Sequence, residues 1–525
     1  GMYSNVFMLA TLALALIGAA RVVRGRTCFT DAFLPIVLLH PGHAESFLFT
    51  MVNTYVMPTV LVGFLLILIV TCRGRLSPAR ASLFGLGLVG LCLSGANGLL
   101  YVPTLAAWLA WSGIWHWREQ GSEGGRRTSV AALAGVAAAL SIAGFYFVGF
   151  HNSQSSIFGY RSASYVQDFL HGLTAFLAVN FGIAAAHSWR VLGPLMMCLS
   201  LVCGFCVVEV IRRGRPDERL KGLGLLAYLA GCLILALGIA WGRAHLDPNT
   251  LLLSHYAAMA VPLLFGIYLI WESTSPERVR NLGRVFLCGL VVALLPLDWR
   301  LGHAHAKLIA RVRKGLEHDL RSPMPAYLLV QRNRRLFPVQ DHMEAYLFSL
   351  RRAGYQTYRN VMENPPFREV RLPLVATATH QMTWRDGSGS ATGDYPHVDF
   401  DLTERTKVCG VRVVCRVKNR ENTSPYFQVQ WRERDRAEFS KGRSYVHLVL
   451  PPGEVDQFHF YTDAWLDQIR VLPDIQRCEL SLFEIVLLLP PEEENDSQGG
   501  TAPKGSVRQG NRENPTAARE GQLKR

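Results

Sequence analysis

The chain has no H-E-x-x-H, no G-x-S-x-G and no phosphate-binding loop motif, so nothing local marks a zinc protease, a serine hydrolase or a nucleotide triphosphatase. It has no internal repeat. It has little charge: 18% of residues are charged, half are hydrophobic, and the mean hydropathy is +0.17, which is unusual for a soluble protein. No basic start or small-residue cleavage site accompanies the first apolar block, which therefore reads as an anchor. Deep charge is also missing. Apart from Glu209 near the inner end of its span, no charged residue stands out within an apolar block, which weakens a proton-coupled transporter. Seven of the eleven cysteines fall in apolar blocks, and the Cys203–Cys206 C-x-x-C reads as packing inside a spanning helix.

What is present is a series of apolar blocks of about 18 to 22 residues, the length that crosses a hydrocarbon core. Candidate spans are 4–23, 50–72, 81–96, 98–116, 130–150, 191–211, 222–242, 255–272 and 282–301. Short loops carry Arg73, Arg75 and Arg80; Arg118, Arg126 and Arg127; Arg212, Arg213, Arg215, Arg219 and Lys221; and Arg278, Arg280 and Arg284. Placing these clusters in the cytoplasm gives nine crossings, an inside N-terminus and an outside C-terminus. Phe169 to Ala186 is then a re-entrant or surface-lying helix on the outer side. Arg21, Arg24 and Arg26 fall outside, against the positive-inside rule, which points to a task such as binding phosphate. The net charge of +14 is spent on topology, so nucleic acid is not an expected partner.

The expected domains are a membrane domain over 1–302, a basic helical connector over 303–369, a β-sandwich over 370–490 and a disordered tail over 491–525. Lys307 to Leu320 and 338–353 have helical apolar spacing. Val411, Val413, Cys415 and Val417 alternate with Arg412, Val414, Arg416 and Lys418, and later runs repeat a period of two, as in an antiparallel sandwich. Cys478 could bridge to Cys409 or Cys415 in an oxidising compartment. Trp384, Trp431 and Trp465 serve either the core or a sugar-stacking surface.

The stretch on which the functional reading turns runs from Arg24 to Phe49, between the first two long apolar blocks. Read as an outer loop, it offers Asp31 and Glu45 as carboxylates able to take a proton from an acceptor hydroxyl. Arg24, Arg26 and Arg243 are cations for a departing phosphate. His43, His245, Asp247 and His255 could add donors or ligands for a divalent metal. Asp31 is equally suited to N-capping the short apolar helix after it, and Glu45 to a solvated loop.

Asp31-Ala32-Phe33-Leu34-Pro35 followed by Leu38-Leu39-His40-Pro41-Gly42-His43-Ala44-Glu45-Ser46-Phe47-Leu48 resembles the first outer loop of bacterial multi-spanning proteins related to the GT-C glycosyltransferases. Gly242-Arg243 and Ser254-His255-Tyr256 are similar to a Gly-Arg and a Ser-Arg-Tyr in the same proteins, with His255 replacing the Arg. Trp465 to Asp474 is similar to a strand-turn of their appended domains. GT-C enzymes usually place an acidic pair after the first helix. No adjacent pair occurs in these loops, so Asp31 or Glu45 would stand in.

The resemblance implies a glycosyltransferase of the bacterial inner membrane with an extracytoplasmic C-terminal domain. It would move a sugar from a polyprenyl-phosphate donor to a glycan, lipid or protein. Arg24, Arg26, His43, Arg243, His245, His255 and Tyr256 would bind substrate. The competing reading is a non-enzymatic membrane scaffold that presents a glycan- or protein-binding sandwich.

Overall fold

The structure, a computed structural model, describes residues 2–48, 53–72, 76–120, 123–148, 165–243, 251–252, 254–333, 336, 343–393, 396–419, 426–432, 439, 444–448, 455–473 and 478–491. The helices are α1 (Met2–Arg24), α2 (Phe33–Leu39), α3 (Ala44–Leu48), α4 (Asn53–Val70), α5 (Pro78–Leu93), α6 (Ala96–Leu99), α7 (Val102–Gln120) and α8 (Glu123–Phe147). They continue with α9 (Tyr165–Ala178), α10 (Trp189–Arg213), α11 (Pro216–Arg243), α12 (Ser254–Thr274) and α13 (Glu277–Arg321), then the short α14 (Ala326–Arg332) and α15 (Met343–Arg352). The nine expected spans all appear as helices. Among the described residues, six of them (α1, α8, α10, α11, α12 and α13) are long and apolar enough to cross a membrane. α12 forms the centre: its apolar side chains are buried on every side, and α1, α4, α10 and α11 surround it. Where Gly85 of α5 faces Gly135 of α8, a Cβ on either would meet the other backbone, so this pair of helices crosses at small-residue distance.

The bundle has two distinct ends. At one, Arg80 at the start of α5 donates to the Thr71 carbonyl, Trp108 of α7 donates to the Leu220 carbonyl, and Arg284 of α13 pairs with Glu272 of α12. The arginine-rich turns lie here, and we call it the basic end. At the other, Tyr55 stacks on His255, Gly172 approaches Ala240, and Gly302 of α13 packs on Pro41. From there α13 continues for nineteen residues past Gly302 toward the C-terminal domain, so this is the domain end.

Residues 25–48 depart from expectation. Gly25, with φ of +82°, closes α1 by donating to the Arg21 carbonyl, and the chain turns back immediately. Arg24 pairs with Asp31 and lies 3.5 Å from Glu272, so this turn belongs to the basic end. Fifteen residues beyond Asp31, the Ser46 carbonyl accepts from Asn5 near the opposite end of α1. Residues 29–48 therefore traverse the whole bundle as an interrupted helix, α2 and α3 joined through a 3-10 turn at Pro41–His43. They are not a loop at one end. Arg21, Arg24 and Arg26 consequently lie at the same end of the bundle as Arg80, Arg212, Arg213 and Arg284, not at the opposite end as expected. The interval 179–187 is a second interrupted helix: α9 breaks into two 3-10 turns on either side of Gly182, at the domain end.

The connector is not separate from the last span, because α13 runs unbroken over 45 residues. In the C-terminal region, strands β3 (Arg368–Arg371), β4 (Ala378–His380), β5 (Met382–Arg385), β6 (Ser388–Ala391), β7 (His397–Asn419), β8 (Tyr426–Arg432), β9 (Ser444–Leu448), β10 (Val455–Pro473) and β11 (Cys478–Leu489) form one continuous antiparallel sheet. Two two-residue strands, β1 (Met324–Pro325) and β2 (Val361–Met362), pair in parallel beside it. The alternation read at Val411–Val417 is the core face, with all four members buried. In the region read as an antiparallel sandwich, β7 and β10 pair along most of their length through bulges at Tyr461/Ala464 and Leu466/Gln468, which joins all nine strands in one hydrogen-bonded sheet. Cys409, Cys415 and Cys478 are all free and buried. The Cys478 thiol donates to the Pro473 carbonyl, so the expected bridge is absent.

Candidate functional site

At the basic end, two arginines and two carboxylates are buried together. Arg24 bonds both Asp31 oxygens at 2.5 Å, Cys28 N–H donates to Asp31 Oδ2 at 2.9 Å, and the Tyr268 hydroxyl donates to Oδ1 at 2.9 Å. Arg284 grips Glu272 through Nε and Nη2, and the Glu272 side chain is fully buried. Charges cancel within this group, and each carboxylate is engaged by its own cation. Asp31 is therefore neither an available base nor the cap of α2. Ala32 holds the cap position, and Asp31 instead ties its own turn to α1 and α12. Burying such charges is tolerable because each is paired with an opposite charge, although Arg24 Nε and Nη1 have no hydrogen-bond partner among the described residues.

The domain end holds a different arrangement. The interruptions of the α2–α3 segment and of α9 meet α13 two residues after Pro296. There Asp298 is buried between Gly42 and Gly182. A Cβ on either glycine would fall 2.6 Å from Asp298 Oδ1, so only glycine admits the carboxylate, and Gly182 also needs its φ of +88°. Ala184 N–H, freed by the helix break, donates to Asp298 Oδ1 at 2.8 Å. His40 Nδ1 lies 3.6 Å from Asp298 Oδ2 and already accepts from Gly42 N–H at 3.1 Å. Two acceptors thus face each other, and their approach becomes attractive only when the pair takes up a proton. Beside them the His43 ring meets His40 edge-on and bonds the Val37 carbonyl through Nε2 at 2.9 Å, so Nε2 carries the hydrogen. His43 Nδ1 and Asn180 Oδ1 are buried without a hydrogen-bond partner among the described residues.

Of the residues singled out from sequence, His43, Arg243, His255 and Tyr256 lie at the domain end. Tyr256 contacts Phe176 of α9 and lies within electrostatic reach of Arg243, which is exposed. His255 is half-buried between Tyr55 and Tyr256. Arg24, Asp31 and the exposed Arg26 lie at the basic end. Tyr256 and Tyr268, which mark the two groups on α12, are twelve residues apart, or about 18 Å along a helix. The expected single pocket shared by Asp31 and Arg243 is therefore not formed. Glu45 belongs to α3, but its side chain, like His245 and Asp247, lies outside the described residues. Among the described residues no three His, Cys, Asp or Glu side chains are grouped to hold a metal.

The residues missed from sequence are His40, Asp298, Tyr268 and Glu272. The expectation that only Glu209 is charged within an apolar block is thereby corrected: Asp298 lies inside the 282–301 run just after a proline and Glu272 ends the 255–272 run, and both are buried. In the C-terminal sheet Trp431 is buried on Phe460 and Trp384 packs edge-on against Phe400, whereas Trp465 is 48% exposed beneath Arg405. Comparison of the chain with protein-family models, curated proteins and solved structures finds no match.

Proposed function

We propose that this chain is an integral membrane glycosyltransferase of the GT-C kind whose reaction takes place at the domain end of the bundle. Residues 29–48 are then a tenth crossing, with α9 re-entrant. The basic end faces the cytoplasm, in keeping with the positive-inside rule, and the C-terminal sheet faces outward from the bacterial inner membrane. The His40–Asp298 pair takes the proton role first expected of Asp31. An acceptor hydroxyl loses its proton to the pair as its oxygen bonds the anomeric carbon of a polyprenyl-phosphate sugar. The bond from that carbon to the phosphate oxygen breaks, and the phosphate departs toward Arg243, His255 and Tyr256. The β domain holds the glycan, lipid or protein acceptor.

The observation that carries this reading is a pair of proton acceptors, His40 and Asp298, buried at a double helix break on the end that bears the β domain. Loss of a general base typically costs about 10²–10⁴-fold in rate. His40→Gln and Asp298→Asn, each shown to fold by thermal unfolding in detergent, should abolish product in an in-cell glycan assay. Unchanged product in both would remove the case for an enzyme. The exposed Trp465 favours the second reading, an anchored glycan-binding scaffold, which predicts that only Trp465→Ala alters the phenotype.

A further inference from the structure

A depression of about 400 Å³ lies on the outer face of the sheet edge formed by β5, β6 and β11. A two-residue turn makes it rigid. Asp386 and Gly387 both have positive φ, 49° and 78°, the conformation of the hairpin turn that matches strand twist and that an Asp-Gly pair adopts. The Gly387 carbonyl accepts from Leu482 N–H at 2.7 Å, which fixes the hairpin to β11. Pairing then sets six side chains in two rows across the three strands: Thr383, Ser390 and Glu479 in one, Arg385, Ser388 and Ser481 in the other. The rows are about 7 Å apart and the strands span about 10 Å, the footprint of a sugar ring with its hydroxyls. Trp384 and Leu480, between the rows, belong to the core behind. Thr383 donates to the Ser390 carbonyl at 3.2 Å, and the Ser388 and Ser481 hydroxyls lie 3.4 Å apart. The Ser390 hydroxyl and the Glu479 carboxylate have no partner among the described residues, although Lys418 stands opposite Glu479 on β7. Arg385 lies 3.6 Å from Asp386. Arg385 and Glu479 cancel within the depression, and Asp386 and Lys418 cancel at its margins, so the surface offers donors and acceptors without net charge.

We propose that this depression binds a neutral glycan, with Glu479 accepting from adjacent sugar hydroxyls and Ser390 and Arg385 bonding the neighbouring oxygens. A carboxylate only accepts, a guanidinium only donates and a hydroxyl does both, which suits the mixed edge of a sugar. An acyl chain would meet no apolar side chain in either row, and a phosphate would meet no surplus of positive charge. The volume lies within the usual range of a ligand site. The inference rests on the acceptor-holding role proposed above for the β domain, and it narrows that acceptor to a glycan. Its readout is binding, so it fails or stands separately from glycosyl transfer.

The test is binding of the fluorescently labelled full chain, in a detergent without a sugar headgroup, to an array of immobilised neutral and anionic oligosaccharides. Neutral members should be bound. Glu479→Gln should weaken that binding about tenfold or more, because bonds to a charged acceptor are the stronger kind, and Ser390→Ala should weaken it less. Glu404→Gln, which alters an exposed carboxylate elsewhere on β7, should bind as the parent chain does. Binding to no oligosaccharide, equal binding by Glu479→Gln, or binding to anionic members alone would overturn the proposal. Full binding by Glu479→Gln with loss in Trp465→Ala would place the glycan on the other surface and overturn it as well. Loss of product in the His40 and Asp298 variants bears on transfer alone, so the two readings are judged by different measurements.

Discussion

At the scale of single residues, the acids differ by what surrounds them. Asp31 and Glu272 each face an arginine in a buried setting, so truncating one partner strands a charge. Asp31→Ala or Arg24→Ala should cost about 3–5 kcal/mol, read as a large fall in unfolding midpoint, and Arg24→Met with Asp31→Leu should recover part of it. An Asp31→Ala variant with unchanged stability would refute the structural role. Glu344, at the start of α15, behaves differently. Burial pushes its carboxyl up, but hydrogen bonds from His459, Tyr461 and Asn364 outweigh burial and hold it below the ordinary value of 4.5. Because the folded form favours the ionised acid, this tie is fully present above that value and is lost as pH falls below it. Thermal stability of the full chain should decline in that acidic range, and Glu344→Gln should flatten the dependence. Asp31 was visible in the sequence as an unusual acid, but its role was not. Its fixing partner Tyr268 lies 237 positions away, and no local pattern encodes that contact.

At the scale of elements, legibility followed length. All nine long apolar runs formed helices because 16 to 45 residues give a pattern that needs no partner to be recognised. The tenth traverse was hidden because α2 and α3 contain only 7 and 5 residues, each below any spanning threshold. The 3-10 turn between them, with a proline, a glycine and a histidine and with His40 just before it, reads as a surface turn. It is tolerated inside the bundle because α13 and the α9 break cover its backbone. Gly182 tests that cover. Gly182→Ala imposes an unfavourable φ and drives a methyl into Asp298, so destabilisation should exceed about 1 kcal/mol. Gly144, which has open space around its Cβ position, should accept Ala with little change, and equal behaviour of the two would contradict the packing described.

At the scale of the molecule, the placement of the bundle ends makes a prediction about sides. With the native cysteines replaced, a membrane-impermeant thiol reagent applied to cells should label a cysteine at Glu404 in the β domain. It should label cysteines at Arg26 and Arg215 only after lysis. Labelling of Arg26 in intact cells would restore the outer-loop reading and separate the first turn from Glu272. The β domain was legible as antiparallel from alternation alone. Its continuity was not, because β7 and β10 bend at bulges that leave the hydrophobic period nearly intact.

One member ties these levels together mechanically. α13 carries Asp298 deep in the bundle, yet it is the same rod that reaches Arg321 beside the β domain, a distance of about 35 Å along its axis. Any tilt imposed where the carboxylate meets the two glycines is magnified at the far tip like the swing of a boom. A pivot of about 5° there would displace the attached sheet by about 3 Å, so small changes in the packing around Asp298 are felt at the far tip of the rod.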